Sequence, residues 1–301
     1  MTSLLTRLNH YHVEAIDSTN STLIQRVKTQ QIESTLPHLL TASTQSAGRG
    51  QHQRSWQSPK GNVYLSLYYP YHSAITGLLS LIVGCELVQM PVITELNQLR
   101  QHKNLPKIGV KWANDIGFYE HTSDAHGLYL FNKLAGILIE PVWQVGQLFG
   151  VVIGVGMNIH TAPILNSKTQ EGMSYQATAL ANLYPSKPSK EDNSQNQDNR
   201  NHGHSSQSMI EMTELYTQIA QALTNAMQRF DHLQKTPEAI DLFLSKFAQT
   251  DVLAGRQIQV SQDNKTQQGS AQGIDRHGCL QLLNTDGNIM PLFTGRIDVT
   301  G

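Results

Sequence analysis

The chain has 301 residues, long enough for one large domain and a small one, with a formal net charge of −1. That balance leaves no basic field to hold nucleic acid or an anionic membrane, and no stretch approaches the ~20 apolar residues of a membrane span. Cys85 and Cys279 lie far apart without metal-ligand spacing, so a reduced, cytoplasmic setting is expected.

Residues 13–16 read as a short strand. Asp17-Ser18-Thr19-Asn20 then supplies capping side chains ahead of Leu23, Ile24 and Val27 at helical spacing. Residues 39–42 form a second strand that delivers Gln45 to a glycine-rich loop. In that loop Gly48 and Gly50 flank Arg49, Gln51 to Arg54 are polar, and Trp56, Ser58, Pro59 and Gly61 follow. The β-branched and aromatic run 63–69 is a core strand. Residues 74–90 are apolar at helical spacing, interrupted by Gly77 and Gly84, and 101–106 read as a polar connector.

Residues 108–112 are a strand carrying Lys111 and Trp112 to its end. Asn114-Asp115 suits a turn, and 119–127 an exposed hairpin or loop. Lys133 opens the mostly apolar run 134–140, expected to be a central strand, and 147–159 is the strand paired with it. Its Gly154 and Gly156 would let a ligand approach the backbone closely. From 186 to 208 periodicity and apolar residues vanish, so a disordered surface insertion is expected; His202 and His204 fall in this solvated run. Ile210, Leu215, Ile219, Leu223, Met227 and Phe230 mark an amphipathic helix, and 239–247 a shorter one. In 252–301 short strands (257–261, 270–274, 279–283, 289–293) alternate with turns at Asp263-Asn264, His277-Gly278 and Asp286-Gly287. The fold class expected is α+β: a mixed sheet with packed helices over 1–251, then a small SH3-like barrel over 252–301.

A glycine-rich cationic loop running into a core strand can set backbone N–H groups and a guanidinium around an anion, although a lone GRG also suits a mobile surface loop. Three further stretches narrow the choice: Lys111-Trp112-Ala113-Asn114-Asp115, Lys133-Leu134-Ala135-Gly136-Ile137-Leu138, and Gly154-Val155-Gly156-Met157-Asn158. Together the four resemble the biotin–protein ligase family, whose members carry GRGRxGRxWxSPxGxxxxS, KWPND, K-x-x-GIL-x-E and GxGxN in that order. The likeness is strong over about residues 12–160 and weak in the last fifty, where 273–278 resembles the family's central C-terminal turn.

The resemblance implies ATP-dependent conversion of biotin to biotinyl-5'-AMP. Transfer to a lysine of the biotin carboxyl carrier protein, a subunit of acetyl-CoA carboxylase, would follow. By likeness the biotin site comprises Ser18, Thr19, Asn20, Gln45, Arg49, Gly50, Gln51, Lys133, Gly136, Gly154 and Gly156. The Ser18–Asn20 segment would meet the ureido head, while capping a helix explains Ser18 and Thr19 equally well. Arg49 and Lys133 would neutralise carboxylate and α-phosphate, and Lys111, facing the phosphates, completes the catalytic set that the resemblance implies. ATP would meet Arg54, Trp56, Lys111, Asn114 and Asn158, with Asp115 on Mg²⁺; taken alone, Trp56 reads as a buried structural residue.

Two departures stand out: Ala113 replaces the motif proline, and Gln51 and Gln53 stand where arginine and glycine are usual. The S-T-N segment begins at residue 18, so the monofunctional type without a helix-turn-helix is implied. A homodimer through the 147–159 strand is a further expectation. The rival readings are a lipoate or octanoate ligase or transferase of the same fold, and a non-catalytic biotin sensor.

Overall fold

The structure, a computed structural model, describes residues 3–125, 127–164, 175–184, 211–262 and 265–301. The 186–208 insertion and the turn at Asp263-Asn264 lie outside the described residues. The chain opens with α1 (Leu4–Arg7), β1 (His10–Ile16), α2 (Thr19–Lys28), β2 (His38–Gln45) and β3 (Val63–Pro70). Two helices follow, α3 (Leu78–Val88) and α4 (Pro91–His102), and then β4 (Gly109–Lys111), β5 (Asp115–Tyr119), β6 (Leu128–Tyr129), β7 (Phe131–Gln144) and β8 (Gln147–Met157). After β9 (Tyr175–Ala177) come α5 (Leu180–Leu183), α6 (Met212–Lys235) and α7 (Ile240–Ala248). The chain ends in β10 (Gln257–Gln262), β11 (Lys265–Ile274), β12 (Leu280–Leu283), β13 (Ile289–Leu292) and β14 (Arg296–Thr300).

The larger sheet has the order β1-β2-β3-β8-β7-β5-β4, with β9 alongside β7. It is mixed, as expected: β1 runs parallel to β2 and β9 to β7, and the other pairs are antiparallel. Leu23 and Val27 of α2 pack on one face, against Leu40, Tyr68, Val142 and Val152. On the other face lie α3 and α6. All of α3 is buried between the sheet and α6, which is why its sequence is apolar all round rather than striped. Among the described residues no single helix is long and apolar enough to cross a membrane.

Three expectations change. β8 lies inside the sheet with β3 on one side and β7 on the other, so it offers no free edge to a second copy. The apolar segment past Met90 does not stop there: Pro91 sits at the first turn of α4, where a missing N–H costs nothing, and the helix runs to His102. Asp115 is not in a turn but opens β5, because the chain reverses at 112–114 instead.

The second sheet, β13-β12-β11-β10-β14-β6, is antiparallel throughout and consistent with the SH3-like barrel. It is sewn to the first. β6 completes its edge beside β14, and Val110 and Thr250 join backbones at 2.8 Å. Trp112 Nε1 donates to Gly278 O at 2.9 Å. One apolar cluster runs from Leu65 and Val155 through α3 and α7 to Ile258 and Leu280.

At this seam Asp251 is buried. Its Oδ1 accepts the Leu253 N–H, while Oδ2 has no partner. Burial pushes its carboxyl from 3.8 up to about 6. The native state then holds a proton that the unfolded chain has released, so stability falls as pH rises through this window, by about 1–3 kcal/mol. Asp251→Asn is expected to raise the melting temperature at pH 8 and to change it little near pH 4.5. Thermal melts at both values check this.

Candidate active site

The site is built on glycines of two central strands. Gly136 of β7 pairs with Gly156 of β8, and Leu138 with Gly154. Alternate residues of a strand share a face and lie ~7 Å apart, so these glycines open two adjacent hollows in one surface. The protein's own side chains enter both. A Cβ at Gly154 would lie 2.2 Å from Asn20 Oδ1, and one at Gly156 2.5 Å from the Trp56 indole. Trp56 also covers Gly136. The glycines expected to admit a ligand thus first admit Asn20 and Trp56.

The first hollow is polar and tightly bonded. Ser18 caps α2 through the Ser21 N–H, and Thr19 and Asn20 are buried in its first turn. Thr19 donates its N–H (2.8 Å) and its hydroxyl (3.2 Å) to Gln45 Oε1, whose amide nitrogen donates to Ser58 Oγ at 3.0 Å. The Ser66 hydroxyl of β3 stands 2.7 Å from Thr19 Oγ1 and 2.5 Å from Asn20 Oδ1. Asn20 Nδ2 donates to Glu140 Oε2 (2.9 Å) and Leu138 O (3.3 Å). Arg49 reaches that same Glu140 oxygen at 2.6 Å. Tyr64, Leu65 and Val155 complete the walls of a small cleft. A larger hollow of about 430 Å³, lined by Ile32, Glu33 and Gln144 among others, contains none of the motif residues.

The glycine loop is an ordered turn. Gly50 N–H donates to Arg54 O and Trp56 N–H to Gly48 O, each at 2.8 Å, and Arg49 bridges Ser55. A Cβ on Gly48 would collide with Trp56 O at 2.4 Å, so the close return of the chain needs glycine there. The Gly50 N–H, expected to cradle an anion, is already occupied; the loop's contribution toward the cleft is the Arg49 guanidinium. His52 and Gln53 both take left-handed φ (55° and 60°), and Gln53 is where the family pattern has glycine. Gln51 begins the short 3₁₀ turn.

The second hollow holds the cation. Lys133 Nζ pairs with Asp115 Oδ1 at 2.7 Å and lies 5.3 Å from the Trp56 ring and 5.5 Å from that of Tyr175. Trp56 Nε1 and Asn158 Oδ1 are buried without hydrogen-bond partners, the condition of groups left for a ligand. Asparagine, hydroxyl and amide groups with Arg49 in the first hollow, and Lys133 in the second, suit a ligand with a neutral polar head and an anionic tail.

A sequence model of the biotin/lipoate A/B protein ligase family matches residues 12–158. Residues 12–158, just under half of the chain, carry a domain of that family. The bifunctional ligase/repressor BirA of Escherichia coli is 28% identical over 288 residues, covering 94% of this chain and 72% of the relative. The biotin–[acetyl-CoA-carboxylase] ligase of Mycobacterium tuberculosis is 31% identical over 164 residues, 50% of this chain and 47% of its own length. Among solved structures, the biotin protein ligase of Aquifex aeolicus in complex with biotin and ATP aligns over 97% of this chain and 98% of its own. The TM-score is 0.60 and the identity 17%, which makes the fold common to both.

Within the family domain, the structure places Ser18, Thr19, Asn20, Gln45, Arg49 and Gly154 around one cleft, with Gly136, Gly156, Lys133 and Trp56 in the adjacent hollow. Lys111 is turned elsewhere: its Nζ donates to Ile297 O of β14 at 3.3 Å, over the Phe131 ring at 4.8 Å. Burial pushes the Lys111 pKa down, against the pull of Asp115 and Asp298. Asn114 donates to Ile137 O at 2.9 Å and so ties the 112–114 turn to β7. Lys111 and Trp112 therefore both hold the second sheet.

Glu140 and Ser66 have no role among the expected site residues, yet both were legible: Ser66 closes the first motif, five residues after Gly61, and Glu140 closes the third, which opens at Lys133. No group of three His, Cys, Asp or Glu side chains able to hold a metal occurs among the described residues. Asp115, the expected Mg²⁺ ligand, is the counter-ion of Lys133.

Proposed function

We propose that this chain activates biotin with ATP in the cytoplasm and attaches it to a lysine of a carrier protein, specifically the carrier subunit of acetyl-CoA carboxylase. The observation that carries the reading is the cleft itself, in which the Asn20 network and the Arg49 and Lys133 cations stand on adjacent hollows of one sheet face. In the first step a biotin carboxylate oxygen attacks the α-phosphorus and pyrophosphate leaves. In the second, the carrier lysine amine attacks the acyl carbon, loses a proton and expels AMP. Little covalent work falls to the protein: it must bring two anions together and neutralise charge as the bond forms.

Thr19, Asn20 and Gln45 offer donors and acceptors to the ureido ring. Arg49 takes the carboxylate and then the phosphate of the adenylate. Lys133 passes from Asp115 to the reacting oxygens. Trp56 and Arg54, with Asn158, line the nucleotide side, whereas Lys111 and Asn114 serve the seam and the 112–114 turn. Mg²⁺ would be held chiefly by the phosphate oxygens of ATP, with Asp115, the partner of Lys133, as the protein carboxylate nearest that cation. We propose the division into a catalytic part, 1–251, and a C-terminal part, 252–301. Biotin-dependent ATP–pyrophosphate exchange is the test, and exchange driven by lipoate or octanoate would redirect the reading.

Gln51 is expected to loosen the hold on the intermediate. A guanidinium there would add a charge-assisted bond to the adenylate, about 1–2 kcal/mol stronger than that of an amide, or roughly tenfold in escape rate. Gln51→Arg should release labelled biotinyl-5'-AMP more slowly in a chase with unlabelled biotin. Equal rates would mean that residue 51 faces solvent.

A further inference from the structure

We propose that Glu140 is a positioning residue that couples Asn20 and Arg49 in the substrate cleft. The inference rests on the ligase reading above and adds a residue to which that reading gave no role. One oxygen, Glu140 Oε2, accepts from Asn20 Nδ2 at 2.9 Å and from Arg49 Nη2 at 2.6 Å. It thereby links Asn20, a neutral donor and acceptor of the cleft, with Arg49, the cation on the same cleft wall.

Asn20 sits on the bare Cα of Gly154 with its Oδ1 toward Ser66, and its Nδ2 donates to Glu140 at 2.9 Å and, less closely, to Leu138 O at 3.3 Å, so Glu140 is the nearer of the two acceptors that hold its amide. Arg49 extends from a loop, and the structure engages it through Nη2 alone among the described residues. Its remaining N–H groups can take a carboxylate or phosphate without giving up Glu140, because a guanidinium carries five donors on two edges. The Glu140 backbone is fixed by its place on the central strand β7 opposite Val152, and its carboxylate is held by the two donors it accepts from. A carboxylate that points a flexible arginine before the ligand arrives lowers the ordering cost of binding.

The test uses the full chain with three variants: Glu140→Gln, Arg49→Ala and the double substitution. Glutamine keeps the shape and one oxygen for Asn20 but drops the charge that holds Arg49. Since the Arg49 and Glu140 side chains are 39% and 24% exposed, solvent weakens the pair. Biotin affinity by calorimetry should therefore fall only about threefold to tenfold in Glu140→Gln. In the Arg49→Ala background the same change should cost less than about twofold, since the partner is already gone. The same factor in both backgrounds, or no loss in the single variant, would overturn the proposal.

A ligand-free arm separates it from the ligase reading. Without its anchor the 47–54 loop should be cut faster by trypsin after Arg49 or Arg54 in Glu140→Gln than in the unaltered protein. Unchanged cutting would overturn the coupling whatever the ligand. An unaltered protein that does not bind biotin would overturn the ligase reading, and the cutting rates would still decide whether Glu140 holds the loop.

Discussion

Lys133→Ala is expected to lower biotin-dependent pyrophosphate exchange by about 30- to 1000-fold, the effect of losing a preorganised donor worth about 2–4 kcal/mol at the reacting oxygens. Lys133 is the cation of the second hollow, and its present partner, Asp115, is 2.7 Å away. An incoming carboxylate and α-phosphate together carry more negative charge than one aspartate, so the ammonium can be drawn toward them. Stability should fall as well, by about 1–3 kcal/mol, because the pair is only 18% and 23% exposed and the buried Asp115 Oδ1 loses its cation. Lys133→Arg should recover only part of the rate, since a planar fork does not replace a compact charge between two anions. Near-normal exchange in Lys133→Ala would remove the lysine from the reaction.

Gly154→Ala is expected to abolish measurable biotin binding and to lower the melting temperature. Its new Cβ would sit 2.2 Å from Asn20 Oδ1 and 2.9 Å from Cγ. Asn20 cannot step aside cheaply: it is buried in the first turn of α2 and bonded to Ser66, Glu140 and Leu138. Forcing a methyl group into such packing costs about 1–3 kcal/mol, and relief by rotating Asn20 dismantles the head-group network. Gly156→Ala makes the useful contrast. Its Cβ meets the Trp56 ring at 2.5 Å, but Trp56 belongs to a partly exposed loop segment that can move outward. That variant should keep most of its biotin affinity and lose adenylation. Calorimetry with biotin and exchange assays on both variants distinguish the two hollows; wild-type biotin affinity in Gly154→Ala would contradict this arrangement.

The sequence carried the main strands of the larger sheet because their runs are long, apolar and bounded by glycine, asparagine or lysine. It carried α2 and α6 because capping residues and a 3.6-residue stripe mark them. Short strands were missed for a physical reason: β5, β6 and β14 owe their strand state to partners elsewhere in the chain, not to local preference. The four motifs identified most of the cleft, yet spacing alone could not say what fills it. Gly154 and Gly156 read as openings for a ligand, whereas their first neighbours are Asn20 and Trp56. Lys111 read as a phosphate cation, whereas it reaches across the seam to the Ile297 carbonyl, a contact 186 residues distant. Such long-range partners are set by how two sheets meet, which no window of sequence contains.

The central claim is that the cleft joins biotin to AMP. Purified protein is incubated with ATP, labelled pyrophosphate and, in parallel, biotin, lipoate, octanoate or no acid, and label entering ATP is followed. The expected result is exchange with biotin alone, reduced by at least about 30-fold in Lys133→Ala. Exchange with lipoate or octanoate instead, or none with any acid from protein that is folded by its melting curve, would contradict it.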